Sequence, residues 1–592
     1  MVKRVLVTTA LEETWPKDSS PVVFLGEWAR LYSRKSLWSI MDAEVVPYHW
    51  DDREKFRRDY FYLKGLYEII LIELSIKLNE VHAVNHDVKY WRILVGPWLG
   101  YFIQMLFDRW YMLDYTLKNF NISSVYSLEQ AAENVVPQHM EHFQKMFLDD
   151  QWNESIYSQI LKVISGAPVL TVDRTTYNNP NQHTEAKSVG TFKLKLKSAL
   201  KYGLEYIFKV TGKNDSLFLI SSYLSFKTSF LLQLQMKQIP KFWSAAVVPI
   251  SSLNHNIRSI VLESAPSNNA FETLLKSLLI KNIPLSYLEG YKNLQDKVEH
   301  SPWPKNPKLI FTSNSFLVDD FFKAWTAEKV ENGSKLIIGQ HGGNFGTALF
   351  GFVEEHQLCI SDTFVSWGWV NKNRSNIAPM GNFVLDDKIQ KWNKNGELLL
   401  VTMTPPRYSY HLLSFPLASQ FIDYQEDQYR FVYALPLVIR SKLLVRLHKA
   451  NYGWYEKERW INQFPECKLD EGIVKLPSLI STSRIYVSTY NATTFLESLT
   501  LNIPTIIFWN PHHWELDERA SPYFCKLKEA GIFHESPESA ALKVAEIWDD
   551  VAGWWTGVEV QDARKYFCNQ FSREVRNPVD KLYNIFKEVS QK

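Results

Sequence analysis

RIYVSTYNATTFLESLTLNIPTIIFW, residues 484 to 509, is the stretch whose reading decides the fold. An aliphatic run ends at Ser488 and Thr489, a polar loop follows over Tyr490 to Thr494, an amphipathic helix starts near Phe495, and a proline leads into a second apolar run, Thr505 to Trp509. Strand, loop, helix and strand in that order make a parallel βαβ unit, with the loop at the carboxyl end of its first strand. Free backbone N–H groups and the dipole at such a helix start favour an anion, and Ser488, Thr489, Asn491, Thr493 and Thr494 add short donors. Thr494 and Glu497 have capping-box spacing. Glu497 has a second reading, because a carboxylate also accepts two hydrogen bonds from the vicinal hydroxyls of a ribose.

Outward from this unit the same grammar repeats. Leu398 to Met403, Leu443 to Leu447, Ile485 to Ser488 and Thr505 to Trp509 form one strand series; Arg4 to Thr9, Ala245 to Ile250, Lys308 to Thr312 and Leu336 to Gly339 form an earlier one. Buried parallel strands read as such short aliphatic runs. Leu443 to Leu447 ends in Arg446, His448 and Lys449, of which Arg446 is the best placed to meet a phosphate. Leu336 to Gly339 runs into Gln340, His341, Gly342, Gly343 and Asn344, where paired glycines let the backbone approach a ligand. His341 could bind that ligand, act as a base or serve only its own turn. GxxxxGK[ST] and GxGxxG patterns are absent from these turns.

The expected fold is α/β and doubly wound, with two Rossmann-like domains. Residues 1–390 form the first, elaborated by a helix-rich insertion over about 55–235, and residues 391–592 form the second, the charged and glycine-containing stretch 381–397 marking the boundary. The polar segment Thr171 to Lys187 reads as an exposed loop. Ile93 to Phe107 lacks charge but falls short of the roughly 18 to 20 residues a spanning helix needs, and Lys227 interrupts Leu217 to Met236; both read as buried helices.

Composition narrows the function. At 592 residues, with 46% apolar and 22% charged residues, the chain is long enough for two large cores. Lys plus Arg (66) nearly balances Asp plus Glu (64), against a nucleic-acid footprint. Cys359, Cys467, Cys525 and Cys568 have neither zinc nor disulfide spacing and fit a reducing compartment. No cofactor or metal is expected. MVKRVLVTTALEETWP reads as a first strand rather than a signal peptide, and the expected place is the cytoplasm or the inner face of a membrane.

LVTTALEETWP, FLGEWA, YWRILVGPWL, IIGQHGGNFG, DTFVSWGW, STYNATTFLESL, IPTIIFWNPHHWEL and SPYFCKLKEAGIFHESPESAA resemble the GT-B-like transferases found in O-antigen and other surface-polysaccharide loci, over nearly the whole chain. The resemblance implies a nucleotide-sugar donor in the C-terminal domain and a glycan or lipid-linked glycan acceptor at the N-terminal one. It assigns the donor to Gly342, Gly343, Arg446, Ser488, Thr489, Asn491, Thr494 and Glu497. The HGG turn also resembles that of capsule enzymes using CMP-activated keto-deoxy sugars, which makes a CMP donor one candidate. For the chemical step the candidates are His341, Glu13 in the first strand-to-helix loop beside Glu12 and Trp15, and Glu289 in PLSYLEGY. Asp319 and Asp320 are better explained by the start of a helix. Alternatives are a nucleotide-activated polyol-phosphate transferase, a nucleotide-sugar epimerase and a noncatalytic carbohydrate-binding or assembly protein; peripheral membrane contact is compatible with the aromatic-rich helices.

Overall fold

The computed structural model describes residues 2–128, 134–164, 166, 168–172, 215–260, 262, 269–385 and 390–591. Three wholly parallel sheets carry it. The first runs β3-β2-β1-β4-β5, with β1 (Arg4–Val7), β2 (Val22–Phe24), β3 (Ala43–Val45), β4 (Ile122–Leu128) and β5 (Val169–Val172). The second is strictly sequential, from β6 (Leu217–Leu219) through β7 (Leu309–Thr312), β8 (Lys335–Gly339) and β9 (Thr363–Ser366) to β10 (Ile377–Pro379). The third has the order β13-β12-β11-β14-β15-β16. Its strands are β11 (Glu397–Val401), β12 (Leu443–Arg446), β13 (Lys468–Asp470), β14 (Ser483–Ser488), β15 (Thr505–Phe508) and β16 (Phe533–His534).

The crossover from β3 to β4 is a helical hairpin, α1 (Arg53–His82) and α2 (Val88–Asn119). Asp52 caps α1 through the Lys55 N–H at 2.9 Å, and Asp87 caps α2 through the Tyr90 N–H at 2.6 Å, each satisfying a donor the helix leaves free. α2 is the hub of the N-terminal part. It packs on α1, α3 (Asp150–Leu161), α5 (Asp320–Glu331) and α6 (Phe352–Ile360); α4 (Phe226–Gln235) lies elsewhere, after β6. The uncharged run Ile93 to Phe107 is buried inside α2 for this reason. Among the described residues no helix is long and apolar enough to cross a membrane.

Several expectations need correction. The stretch 1–390 carries two sheets, and 55–235 is not a helical insertion throughout, since β4 and β5 complete the first sheet and β6 opens the second. Leu217 to Met236 is β6 followed by α4. Ala245 to Ile250 belongs to no sheet: Pro249 removes a ladder donor, and Val247 and Ile250 are exposed. Thr171 and Val172 belong to β5, and the rest of the expected loop to Lys187 lies outside the described residues.

The chain passes from the second sheet to the third across residues 380–397 and then returns. α8 (Val558–Phe571) ends the third unit, and α9 (Pro578–Gln591) packs on α4 of the second. The outgoing and returning segments touch: the Asn382 N–H donates to the Arg573 carbonyl at 2.8 Å, and Asn382 Nδ2 donates to Ser572 Oγ at 3.1 Å. The second and third units thus form a GT-B-like pair, with carboxyl strand ends facing each other.

Candidate functional site

In the third sheet β11 pairs with β12 on one side and β14 on the other, so chain order reverses between β11 and β14. Ligands of open parallel sheets favour the crevice outside such a reversal. The loop after β14 leads there into α7 (Thr493–Thr500), whose first position follows an extended Ala492 with no side-chain cap. Against it stands the turn after β8. The Gly343 N–H donates to Thr493 Oγ1 at 2.7 Å, and Thr347 Oγ1 donates to Asn491 Oδ1 at 3.2 Å. Gly342, at φ +147°, allows this approach, because a Cβ there would lie 2.3 Å from Thr493 Oγ1. The two motifs singled out in the sequence, 150 residues apart at this bond, therefore meet.

Individual residues divide into those that build the site and those that line it. Ser488 and Thr489 are fully buried; Ser488 Oγ donates to the Tyr490 carbonyl at 3.3 Å, and Thr489 Oγ1 to the Val401 carbonyl at 2.9 Å, so both shape the loop. Asn491 is buried, and its Nδ2 has no protein partner. Thr494 does not cap α7: it lies inside the first turn and donates to the Tyr490 hydroxyl at 2.9 Å. Burial raises the pKa of Tyr490, Arg446 opposes that rise and Glu497 adds to it, which places both charges around one phenol. Arg446 Nη1 is bound to Asp470 Oδ2 at 2.6 Å and to the Val474 carbonyl, which fixes the guanidinium at the rim. His341 packs between Tyr223 and Phe345 at 5.7 and 5.8 Å, and its Nδ1 is buried without a protein partner. Burial lowers its pKa, so the imidazole is neutral near pH 7.

Two expected carboxylates lie in different settings. Glu289 is held by Arg258 through two bonds of 2.6 and 2.7 Å, both side chains 6% exposed, so its lone pairs are committed and it is not a free base or nucleophile. Glu13 is in the short turn Glu12–Thr14 after β1, and among the described residues no hydrogen bond or ion pair joins it to the HGG turn or the loop after β14. Asp319 is the N-cap of α5, accepting from the Phe322 N–H at 2.9 Å, as its position suggested. Asp320 is instead fully buried, paired with Lys323 at 2.7 Å and bound by Tyr287 and Ser286.

Sequence reasoning missed the groups beside β11 and the first sheet. Thr404 Oγ1 donates to Glu456, whose carboxyl burial pushes up to about 8. The pair borders a cavity of about 330 Å³ with His448, Lys449 and Trp454 at the carboxyl ends of β11 to β13. Farther along the loop after β11, Arg407 binds Asp150 at 2.6 Å and the Trp28 carbonyl, joining the third unit to the first. There Thr8 Oγ1 donates to Glu154 at 2.7 Å, at the end of β1. Glu354 of α6 accepts from the Gly346 N–H at 2.8 Å, and burial pushes its carboxyl up to about 7. The run VTMTPPR carries a local signal, polar residues and prolines ending a buried strand; Glu154, Glu354 and Glu456 sit in helices with none. Among the described residues no group of three His, Cys, Asp or Glu side chains is placed to hold a metal.

Comparison with curated proteins gives no match. Among solved structures, the chain is similar to a UDP complex of S. aureus MnaA at 10% identity and a TM-score of 0.32, covering 54% of this chain and 85% of that one. It is similar to the UDP-GlcNAc 2-epimerase of Neisseria meningitidis at 12% identity and TM-score 0.28, covering 55% and 89%. WaaG, a glycosyltransferase involved in lipopolysaccharide biosynthesis, matches at 9% identity and TM-score 0.28, covering 50% and 95%. Likenesses this distant bring none of those activities to the chain. A family model does match, over residues 4–586, and by that match the chain belongs to the LIC12162 family transferases.

Proposed function

We propose that this transferase moves a sugar from a nucleotide-sugar donor to the hydroxyl of a surface glycan, with the donor seated between the second and third units. The observation that carries the reading is the contact of Gly342 and Gly343 with Thr493 at the mouth of the chain reversal, where the HGG turn meets the start of α7. The α7 start takes the diphosphate or phosphate, Arg446 adds positive charge from the rim, and Glu497 takes the ribose hydroxyls. The cavity beside Thr404 and Glu456 supplies room for the base. The acceptor O–H attacks the anomeric carbon, the carbon–oxygen bond to phosphate breaks with its electron pair leaving on the nucleotide, and the acceptor proton passes to neutral His341. Alignment and leaving-group stabilisation then supply the rate, and the scheme uses no resident metal. The likeness of the sequence to O-antigen-locus transferases supports a surface glycan acceptor, presented on a lipid carrier at the cytoplasmic face.

Thermal-shift titration with CMP, CDP, UDP, GDP and their sugar conjugates tests this, run beside Glu497→Ala and Arg446→Ala. One nucleotide class stabilising the wild type, with the shift reduced in both variants, is the expected result. Product analysis with that donor then separates glycosyl from polyol-phosphate transfer. His341→Asn should keep the shift and lose about 10²-fold or more in kcat. A folded protein that no nucleotide stabilises would overturn the reading and leave a carbohydrate-binding role.

A further inference from the structure

α4 turns its polar side inward. The buried face carries Thr228, Ser229 and Gln233 beside Leu232, and Gln233 is held there, its Nε2 donating to the Ser229 and Lys241 carbonyls at 3.2 and 3.1 Å. The outer face carries Phe226, Phe230, Leu231 and Leu234, each 38 to 71% exposed. A helix that served only to complete a folded core would be turned the other way. Just past the helix Phe242 stacks on Phe226 at 4.7 Å and Ile239 is exposed, which extends the face. Single exposed apolar residues are ordinary, whereas a contiguous face of them marks an interaction or membrane site.

Charge indicates what covers it. Residues 216–262 contain no Asp or Glu. Lys227 stands within the apolar arc and Lys237 just beyond its end; both are exposed, and among the described residues neither has an ion pair. Asp580 meets the helix through Gln235, at the edge of the arc. The stretch 187–214, which leads toward β6, holds seven lysines and one acidic residue. Rings, aliphatic side chains and lysines on one face match the boundary of an anionic bilayer, where the rings enter the acyl edge and lysine stems lie along it with their ammonium groups among lipid phosphates. A second exposed apolar row, Ile69, Ile72 and Ile76 on α1, is bordered by exposed Glu68 and Glu80 and lacks that character.

We propose that the outer face of α4, with Ile239 and Phe242, docks the chain on an anionic lipid bilayer. Tyr223, three residues before Phe226, packs on His341 at 5.7 Å, so docking brings His341 to the lipid surface, where an acceptor carried on a lipid presents its hydroxyl. That consequence rests on the transfer reading above; the docking itself does not.

Co-sedimentation of the full chain with vesicles, in the absence of nucleotide, tests it. Mixed phosphatidylglycerol and phosphatidylcholine vesicles should bind the wild type at least about tenfold more tightly than phosphatidylcholine alone. Phe226→Ser/Phe242→Ser should weaken binding to the mixed vesicles by at least about tenfold, with Tm unchanged because both rings are exposed. Lys227→Glu/Lys237→Glu, which leaves the rings in place, should erase the preference for the anionic vesicles and makes the same test if the first variant does not fold. Ile69→Ser/Ile76→Ser on α1 should bind as the wild type does. Absence of vesicle binding, equal binding to both compositions, or an equal loss in the α1 variant would overturn the proposal; a dimer that Phe226→Ser/Phe242→Ser dissolves, in a chain that binds no vesicles, would assign the face to a second copy instead. A chain that docks on vesicles but is stabilised by no nucleotide would lose the transfer reading and keep this one.

Discussion

Replacing Thr493 by alanine removes one atom that joins the two halves of the candidate site. Thr493 Oγ1 accepts the Gly343 N–H at 2.7 Å, a neutral hydrogen bond in a half-buried place. Such a bond contributes about 1 to 1.5 kcal/mol net, which at about 1.4 kcal/mol per factor of ten corresponds to a local opening about five- to tenfold more frequent. Hydrogen exchange followed by mass spectrometry, on peptides covering 339–349, reads that opening at the Gly343 amide. Thr493→Ala should speed exchange there by that factor and leave the β11 amides unchanged. Thr493→Ser, which keeps the hydroxyl, should return the rate to within about twofold of wild type. Unchanged exchange in the alanine variant, or equal rates in the alanine and serine variants, would show that this hydroxyl does not hold the turn.

Gly342→Ala should cost more than Thr493→Ala, because the new methyl meets Thr493 Oγ1 at 2.3 Å in a φ region that glycine prefers; strain of about 1 to 3 kcal/mol is expected, read as a lower Tm and a weaker nucleotide shift. Glu456 gives a pH dependence: its folded pKa, about 8, lies above its ordinary value of 4.5, so the stability it contributes is present below pH 4.5 and is lost as pH rises toward 8. Glu456→Gln should flatten that part of the Tm profile and be the more stable form near pH 8; a wild-type slope of the opposite sign would refute the protonated-acid reading. Glu289→Ala leaves the buried Arg258 guanidinium uncompensated and should cost about 3 to 5 kcal/mol, with kcat per folded molecule unchanged, whereas a fall in kcat at constant Tm would return Glu289 to the chemistry.

What was legible in the sequence had local causes. The ends of β7, β8, β11, β12, β14 and β15 lie within two residues of the aliphatic runs that announced them, because a strand buried on both faces must be apolar throughout. β2 (VVF) and β6 (LFL) are apolar and buried but only three residues long, and β3 (AEV) is charged at its centre, so the additional sheet in the first part of the chain was hidden by brevity. Ala245 to Ile250 shows the opposite failure, β-branched residues with no strand to pair with. At the site, the HGG turn and the 488–494 loop were readable because each combines a buried strand end with residues of special backbone or donor character. Thr404 with Glu456, Arg407 with Asp150 and Thr8 with Glu154 were not, since their partners are 52, 257 and 146 residues away and only tertiary packing selects them.

The two crossings between the second and third units, joined at Asn382, Ser572 and Arg573, have a mechanical meaning. A body attached by one thread can swivel, whereas a body attached by two threads fastened side by side swings like a door, with their common line as its pin. Gly381, where a Cβ would lie 2.6 Å from the Arg573 carbonyl, keeps those threads pressed together. Even that swing is opposed in this chain, because Ala348 pairs with Leu516 and Gly351 with Leu413 between the same two units, and these fastenings together hold Gly343 and Thr493 in register.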